Sequence, residues 1–455
     1  MNIQRIPRIQ LITITVLAAM IGRVPAADLN WPPTLPGDQQ VATDTSPAFL
    51  KPSETLRDGV QIAKTPPTVD FVYYPGQTYA TKLWSAWGDN LVVGDKCYSA
   101  IGDHDAPAGN AQLYEYDSST KTMRLLVDVR KFLDLPAEHY SPGKIHSHIG
   151  LGKDGWLYFS THRGSTRITT AANHFSGDWI LRHHPQRGDT EIVAHAPLPM
   201  QCLPCGQMDG ERMIFYNGTA DGDYKNKRVQ FLAYDLVNRK VLYSDDHGPA
   251  RAMIVANSTG RVYFHGRQSK PTGEGAAETL VRFDPAKPGE PQPIEAAVGM
   301  RAASQETPDG IVYTIDGDGL WAFNTKTERA ESLGSAAVAS KDYTASLDVD
   351  PHTWRYLYYV PGAHGGAELD GAPLVQYDVK TRTRKVIAFL HPFYFDKYGY
   401  VACGSYGVAV SPTGDKVYIT WNGARGATKA DLAKRVKWDT CALTVVHIPE
   451  SERQP

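Results

Sequence analysis

The stretch TPDGIVYTIDGDGLWAFNTKTERAESL, residues 307 to 333, decides the fold. Asp309-Gly310 makes a tight turn, IVYTI and LWAFN are short runs rich in β-branched and aromatic residues, and the polar NTKTE leads into a further strand. Outward in both directions the same unit returns. Its core is a short apolar strand, often aromatic near its end and then Asp, His or Asn. It recurs as LYEYD (113–117), WILRHH (179–184), LAYD (232–235), LVRFD (280–284), LWAFN (320–324), LVQYD (374–378) and LTVVH (443–447). Hairpins lie upstream of most copies, among them MDGERMIFY (208–216), NSTGRVYFH (257–265) and SPTGDKVYIT (411–420).

Seven copies, four strands to each and almost no helical periodicity spell an all-β chain: a seven-bladed β-propeller of four-stranded antiparallel blades. One blade cannot bury its own faces, but a ring of them can. The last copy ends after its third strand, so VDFVYY (69–74) is expected to supply the missing outer strand, closing the ring and protecting an edge. Residues 69–455 then form the propeller, and residues 28–68, rich in Pro and polar side chains, an arm over its surface. Residues 1–27 carry Arg5, Arg8, an apolar run from Leu11 to Gly22 and small residues up to Ala27, the layout of a signal peptide. That run is short for a bilayer span, and no later stretch reaches 18 apolar residues. The expectation is a secreted or periplasmic protein with no stable membrane insertion after cleavage.

With 49 acidic residues against 47 basic and a net charge of −2, nothing global attracts nucleic acid. Any affinity for an anion must be local. Five cysteines are too few for a disulfide scaffold.

The hairpin GKIHSHIGLGKDGWLYFSTHRG (143–164) concentrates the chemistry. A turn centred near Asp154 places His146 opposite His162, with Cβ atoms roughly 5 Å apart. His146 begins an inner strand and His162 ends a second strand, so both open on the same face, while His148 lies deeper. Aligning the turn glycines Gly155, Gly210, Gly260 and Gly310 maps His146 onto Gln201, Arg251 and Arg301, and the later blades add Ser346 and Tyr406. This ring holds no carboxylate, whereas hard cations on a propeller axis need oxygen ligands. It suits an anion. Second-strand ends add Arg163, Tyr216, His265 and Arg267. Gln201, Arg251, Arg301, Arg163, His265 and Tyr406 are therefore the candidate substrate-binding residues.

His, Tyr and Arg around an anion fit β-elimination on a uronate-containing polysaccharide. Arg neutralises the carboxylate as charge develops beside C5, a neutral His takes the C5 proton, and a Tyr hydroxyl protonates the leaving oxygen. Glycoside hydrolysis would need a carboxylate pair that the ring lacks. The alternative from another class is a noncatalytic propeller that grips an anionic glycan or a protein partner with the same residues.

The segment GKIHSHIG…DGWLYFSTHRG within an exported seven-bladed propeller resembles the propeller polysaccharide lyases, the ulvan lyases above all. The resemblance implies that His146 and His162 are the catalytic pair, that Arg251 binds the carboxylate, and that a tyrosine from a following blade completes the site. Tyr216 fits by strand-end position and Tyr243 by nearness to Arg251 in sequence. No cofactor is required for that chemistry. Cys202 and Cys205 have CxxC spacing but no second pair to complete a zinc site. Cys403 and Cys441 both begin blade-seven strands, with His391 on an approaching loop; a disulfide or a structural zinc site, as some propeller lyases contain, are the two readings.

Overall fold

The computed structural model describes residues 29–454 except 54, 82, 106–108, 272–276, 429–430 and 433–435; the expected signal peptide lies outside the described residues. The turn glycines behave as their spacing implies. Gly155 and Gly310 sit at φ 80° and 83°, a left-handed conformation that the absence of a Cβ makes cheap. From such turns the second strand of each blade runs outward, as Leu157–Arg163 does in blade two and Ile311–Asp316 in blade five. The third and fourth strands pair antiparallel beyond it.

Seven such sheets follow one another along the chain and form a seven-bladed propeller with very few helices. Blades one to six each carry a register shift between their third and fourth strands, at Leu113/Tyr114, Ile180/Leu181, Ala233/Tyr234, Thr279/Val281, Leu320/Trp321 and Leu374/Val375. A bulge at the same place in successive units increases local twist, and so repeats the propeller pitch of each blade. The apolar core is divided among the blade interfaces. Phe159, Leu113 and Ile145 pack between blades one and two, and Phe215, Tyr158 and Leu232 between two and three. Tyr359, Ile315 and Val375 pack between five and six.

The ring closes as expected. Thr68–Tyr73 pairs antiparallel with Thr440–His447, from Thr68 opposite His447 to Tyr73 opposite Ala442. Ala42–Thr45 then covers the new edge. At this closure Asp70 is wholly buried and accepts hydrogen bonds from Thr43 (2.5 Å), Lys121 (2.8 Å) and His447 (2.8 Å). Against the cost of burial these bonds hold its carboxyl at about 2. Within the stretch 28–68, Gln61–Ile62 adds a parallel fifth strand to blade six and Arg57 reaches Asp318 at 2.7 Å. Among the described residues no helix is long and apolar enough to cross a membrane.

Candidate active site at the mouth of the propeller

Blade two departs from simple hairpin register, and the departure builds the site. Leu151 pairs with Leu157 and Gly150 with Tyr158, but further from the turn Ile145 pairs with Thr161 and Lys144 with His162. Residues 146–149 leave the ladder, and Ser147 Oγ stands in by accepting a hydrogen bond from the Ser160 N–H at 2.9 Å. His162 therefore faces Lys144, not His146. The two imidazoles still meet, edge to face, with ring centroids 5.7 Å apart.

His146 Nδ1 lies 3.0 Å from the Pro204 carbonyl oxygen. A carbonyl only accepts, so the neutral ring carries its proton on Nδ1 and presents the Nε2 lone pair. Burial, then Lys144 and Arg301, push its pKa down to about 3. His162 and His104 are likewise held well below the usual imidazole range by burial and by Lys144. Lys144 itself falls to about 7 through burial and the neighbouring Arg163, and its Nζ sits 4.3 Å over the Trp87 ring.

The rest of the mouth comes from distant blades. Trp87 of blade one stacks against His104 and His146 at 5.6 and 5.9 Å and packs on Tyr406 and Trp438 at 4.8 and 5.5 Å. Arg301 of blade five donates through Nε to the Tyr343 hydroxyl at 2.6 Å, with its guanidinium 5.6 Å from the Tyr406 ring centroid. The Tyr406 hydroxyl lies 3.1 Å from His364 Nδ1. Burial, reinforced by Tyr343, raises its pKa, so it keeps its proton. Arg251 is solvent-exposed and lines the same cavity as His146, Arg301 and Tyr406. That cavity measures only about 20 Å³, too small for a sugar ring.

Four of the expected ring positions come together: His146, Arg251 and Arg301 from the glycine alignment, and Tyr406 from the later blades. Two do not. Gln201 is buried away from the axis, bonded to Thr219 (2.7 Å) and Asp221 (3.2 Å), and Cys205 and Gln207 line the cavity for blade three. Ser346 turns toward Val408, whose N–H it accepts at 2.9 Å, and Ala345 takes its place: a shift of one residue moves a strand side chain to the other face. One carboxylate, Asp89, does line this cavity, 2.9 Å from His148. Below it a chamber of about 260 Å³ carries Asp89, Glu306 and Asp348, so the positive character belongs to the mouth and not to the whole axis.

Arg163 is buried, its Nη1 donating to the Asp221 carbonyl at 2.5 Å, so it acts on the mouth by its field. His265 bonds the Val298 carbonyl at 3.0 Å and borders a separate cavity with Lys227, Arg228 and His247. Neither expected tyrosine reaches the mouth. Tyr216 is wholly buried between blades three and four with its hydroxyl unpartnered, because its strand turns that side chain into the blade interface. Tyr243 lies on the outer strand of blade three, bonded to Asp245 at 3.0 Å. The tyrosines at the mouth are Tyr406, which lines the cavity, and Tyr343, which accepts the Arg301 hydrogen bond. Cys403 and Cys441 are free and belong to different apolar clusters, Cys403 with Tyr406 and Trp438 and Cys441 with Cys97 and Tyr74. They form no disulfide, and with His391 they form no three-ligand group. Among the described residues the group whose ligand atoms do gather is His162, Asp178 and Cys202.

Trp87, His104, Lys144, Tyr343, His364 and Trp438 were not among the sequence candidates. His104 follows directly on the second strand of blade one, the same position that singled out His162, and Lys144 lies inside the quoted hairpin. Tyr343, His364 and Trp438 lie outside the strands, where the repeat carries no register.

No protein-family model matches the chain, and no curated protein matches it. Solved structures do. An oligogalacturonate lyase in complex with manganese has a TM-score of 0.50 at 12% identity, covering 90% of this chain and 100% of the other. An oligogalacturonate lyase from Vibrio parahaemolyticus has a TM-score of 0.49 at 10% identity, covering 88% and 98%. A chain of a mitotic checkpoint complex has a TM-score of 0.43 at 9% identity, covering 98% of this chain and 99% of the other. At 12% identity, the likeness to the manganese-bound lyase shows the fold alone.

Proposed function

We propose that this protein is an exported polysaccharide lyase that cleaves a uronate-containing chain by β-elimination at the propeller mouth. The observation that carries the reading is the His146 tautomer. With Nδ1 tied to the Pro204 carbonyl, Nε2 is an unprotonated base beside Arg301, Tyr343 and Tyr406. The uronate carboxylate binds Arg251 and Arg301, whose charges neutralise the enolate-like intermediate. Burial is the main cause of the low His146 pKa; an arriving anion offsets the added repulsion from Lys144 and Arg301 and so raises its basicity where the proton must be taken. His146 takes the C5 proton, the C4–O bond breaks, a C4=C5 double bond forms, and Tyr406 passes its hydroxyl proton to the departing oxygen. With its pKa raised, Tyr406 enters the reaction carrying the proton that an acid must supply.

An oligogalacturonate lyase shares this architecture, and galacturonate is a uronate, which is consistent with the substrate class. That neighbour holds manganese. The gathered ligand group here includes a thiol, a softer donor than manganese prefers, so acid, base and charge neutralisation are assigned to side chains. Export rests on residues 1–27 alone. The test is incubation with a panel of uronate polysaccharides followed by product analysis. An unsaturated sugar at the new non-reducing end supports the lyase. New reducing ends without unsaturation mean hydrolysis, and retention of intact polymer means the noncatalytic alternative.

A further inference from the structure

Behind His162 the protein keeps a second cluster that the elimination does not use. His162 lies on the second strand of blade two, Asp178 immediately precedes that blade's third strand, and Cys202 stands on the short strand that opens blade three. Asp178 and Cys202 are wholly buried and His162 is 8% exposed. Their ligand atoms all lie within 4.8 Å of one another. The carboxylate is held in place. Asp178 Oδ1 accepts hydrogen bonds from Tyr140 (2.8 Å) and Thr161 (2.7 Å), while its backbone N–H donates to the Gln201 carbonyl (3.0 Å).

Two atoms in this ordered setting have no hydrogen-bond partner: Asp178 Oδ2 and His162 Nδ1. Buried polar atoms are nearly always satisfied, and an orphaned carboxylate oxygen beside an orphaned imidazole nitrogen and a thiol calls for a ligand. A cation satisfies all three together, as a shared partner for the carboxylate, the imidazole nitrogen and the sulfur. We propose that His162, Asp178 and Cys202 bind a divalent cation of borderline softness, with zinc as the best match. One sulfur, one nitrogen and one oxygen donor suit zinc, whereas calcium and magnesium ask for oxygen alone and copper(I) for more sulfur.

The charges agree. A thiolate and a carboxylate balance the ion, and Arg163 Nη1 lies 3.8 Å from Cys202 Sγ. Tyr140 and Thr161 act as the outer groups that orient a ligating carboxylate. Bound through Nδ1, the ion would fix the His162 ring edge-on to His146, making His162 a positioning residue. The site goes beyond the lyase reading, because metal content can be measured whatever the substrate proves to be.

The experiment uses the full chain, stripped with a strong chelator and reloaded with Zn²⁺ or Co²⁺ alone. The expected result is one ion per chain, with Co²⁺ producing the ultraviolet charge-transfer absorption of a cobalt–thiolate bond. Cys202→Ser removes that band and lowers the content at least tenfold, while Cys403→Ser changes neither. If Cys202→Ser misfolds, the band in the wild-type protein still decides. A wild-type chain that takes up less than a tenth of an equivalent, or binds Co²⁺ without a thiolate band, overturns the proposal, as does loss of the band in Cys403→Ser alone.

Discussion

Replacing Arg301 by Lys separates gripping an anion from stabilising its conversion. Arg301 is 8% exposed, spends Nε on the Tyr343 hydroxyl at 2.6 Å and packs across the Tyr343 and Tyr406 rings at 5.2 and 5.6 Å, which leaves its two terminal nitrogens for a carboxylate. Lysine keeps the charge but is a single point donor, unable to serve Tyr343 and both carboxylate oxygens together. Removing a charge-assisted pair from a buried site costs about 2–4 kcal/mol, which corresponds to a loss of roughly 30- to 1,000-fold in kcat/KM. Because negative charge on the uronate grows as the C5 proton leaves, most of that loss is expected in kcat. The assay is steady-state formation of unsaturated product at several substrate concentrations, with thermal unfolding as a check on the fold. A rise in KM with kcat intact would refute the argument and leave Arg301 as a ground-state clamp. Unchanged kinetics would remove it from the site.

Other expectations follow from the same geometry. Tyr406→Phe lowers kcat by on the order of 10²- to 10⁴-fold, the usual size of a general acid contribution, while Tyr243→Phe leaves turnover unchanged. Tyr216→Phe also keeps activity and raises Tm, because it deletes a buried hydroxyl with no partner, worth about 1 kcal/mol. Protonation of His146 in the free enzyme is suppressed to about pH 3, so the acid limb of kcat/KM lies well below pH 6.5. The native protein holds this imidazole neutral while the unfolded chain protonates it, so stability is full above pH 6.5 and is lost as pH falls toward 3. Urea titrations of wild type and His146→Ala at stepped pH isolate that slope from the opposite contribution of buried carboxyls such as Asp348, raised to about 6, and parallel profiles between pH 6.5 and 4 would contradict the burial of His146. Asp70→Ala removes the three hydrogen bonds that fasten the ring closure and lowers the unfolding free energy by about 2–4 kcal/mol, read as a lower urea midpoint.

The fold was legible because a repeated pattern fixes strand, turn and count together, and because a missing outer strand in the last unit demands a donor from elsewhere in the chain. The site was legible in part. Arg251 and Arg301 line the cavity with His146 where counting from turn glycines puts them, and Tyr406 joins them from the looser seventh blade. Counting failed where strands leave ideal register. Residues 146–149 step out of the blade-two ladder, so Lys144 takes the place opposite His162. Blade three begins its inner strand later than the count implies, which moves Gln201 off the axis, and a single-residue displacement in blade six turns Ser346 away. The tyrosines were misplaced for a related reason. A strand-end position specifies which rim a residue is near, but the alternation of faces decides between the mouth and a blade interface, and Tyr216 falls on the interface side. Tyr343, His364 and Trp438 approach from outside the strands, where no periodicity specifies direction.

The central claim is that a neutral His146, facing a carboxylate-binding arginine pair, drives elimination at this mouth. Following ultraviolet absorbance of the C4=C5 product during digestion of uronate polysaccharides by the wild-type protein and by His146→Ala tests it most directly. The account predicts a rising signal from at least one polymer with the wild type and a loss on the order of 10²- to 10⁴-fold with the variant. Equal rates from both proteins, or cleavage of a uronate polymer with no absorbance at all, would contradict it.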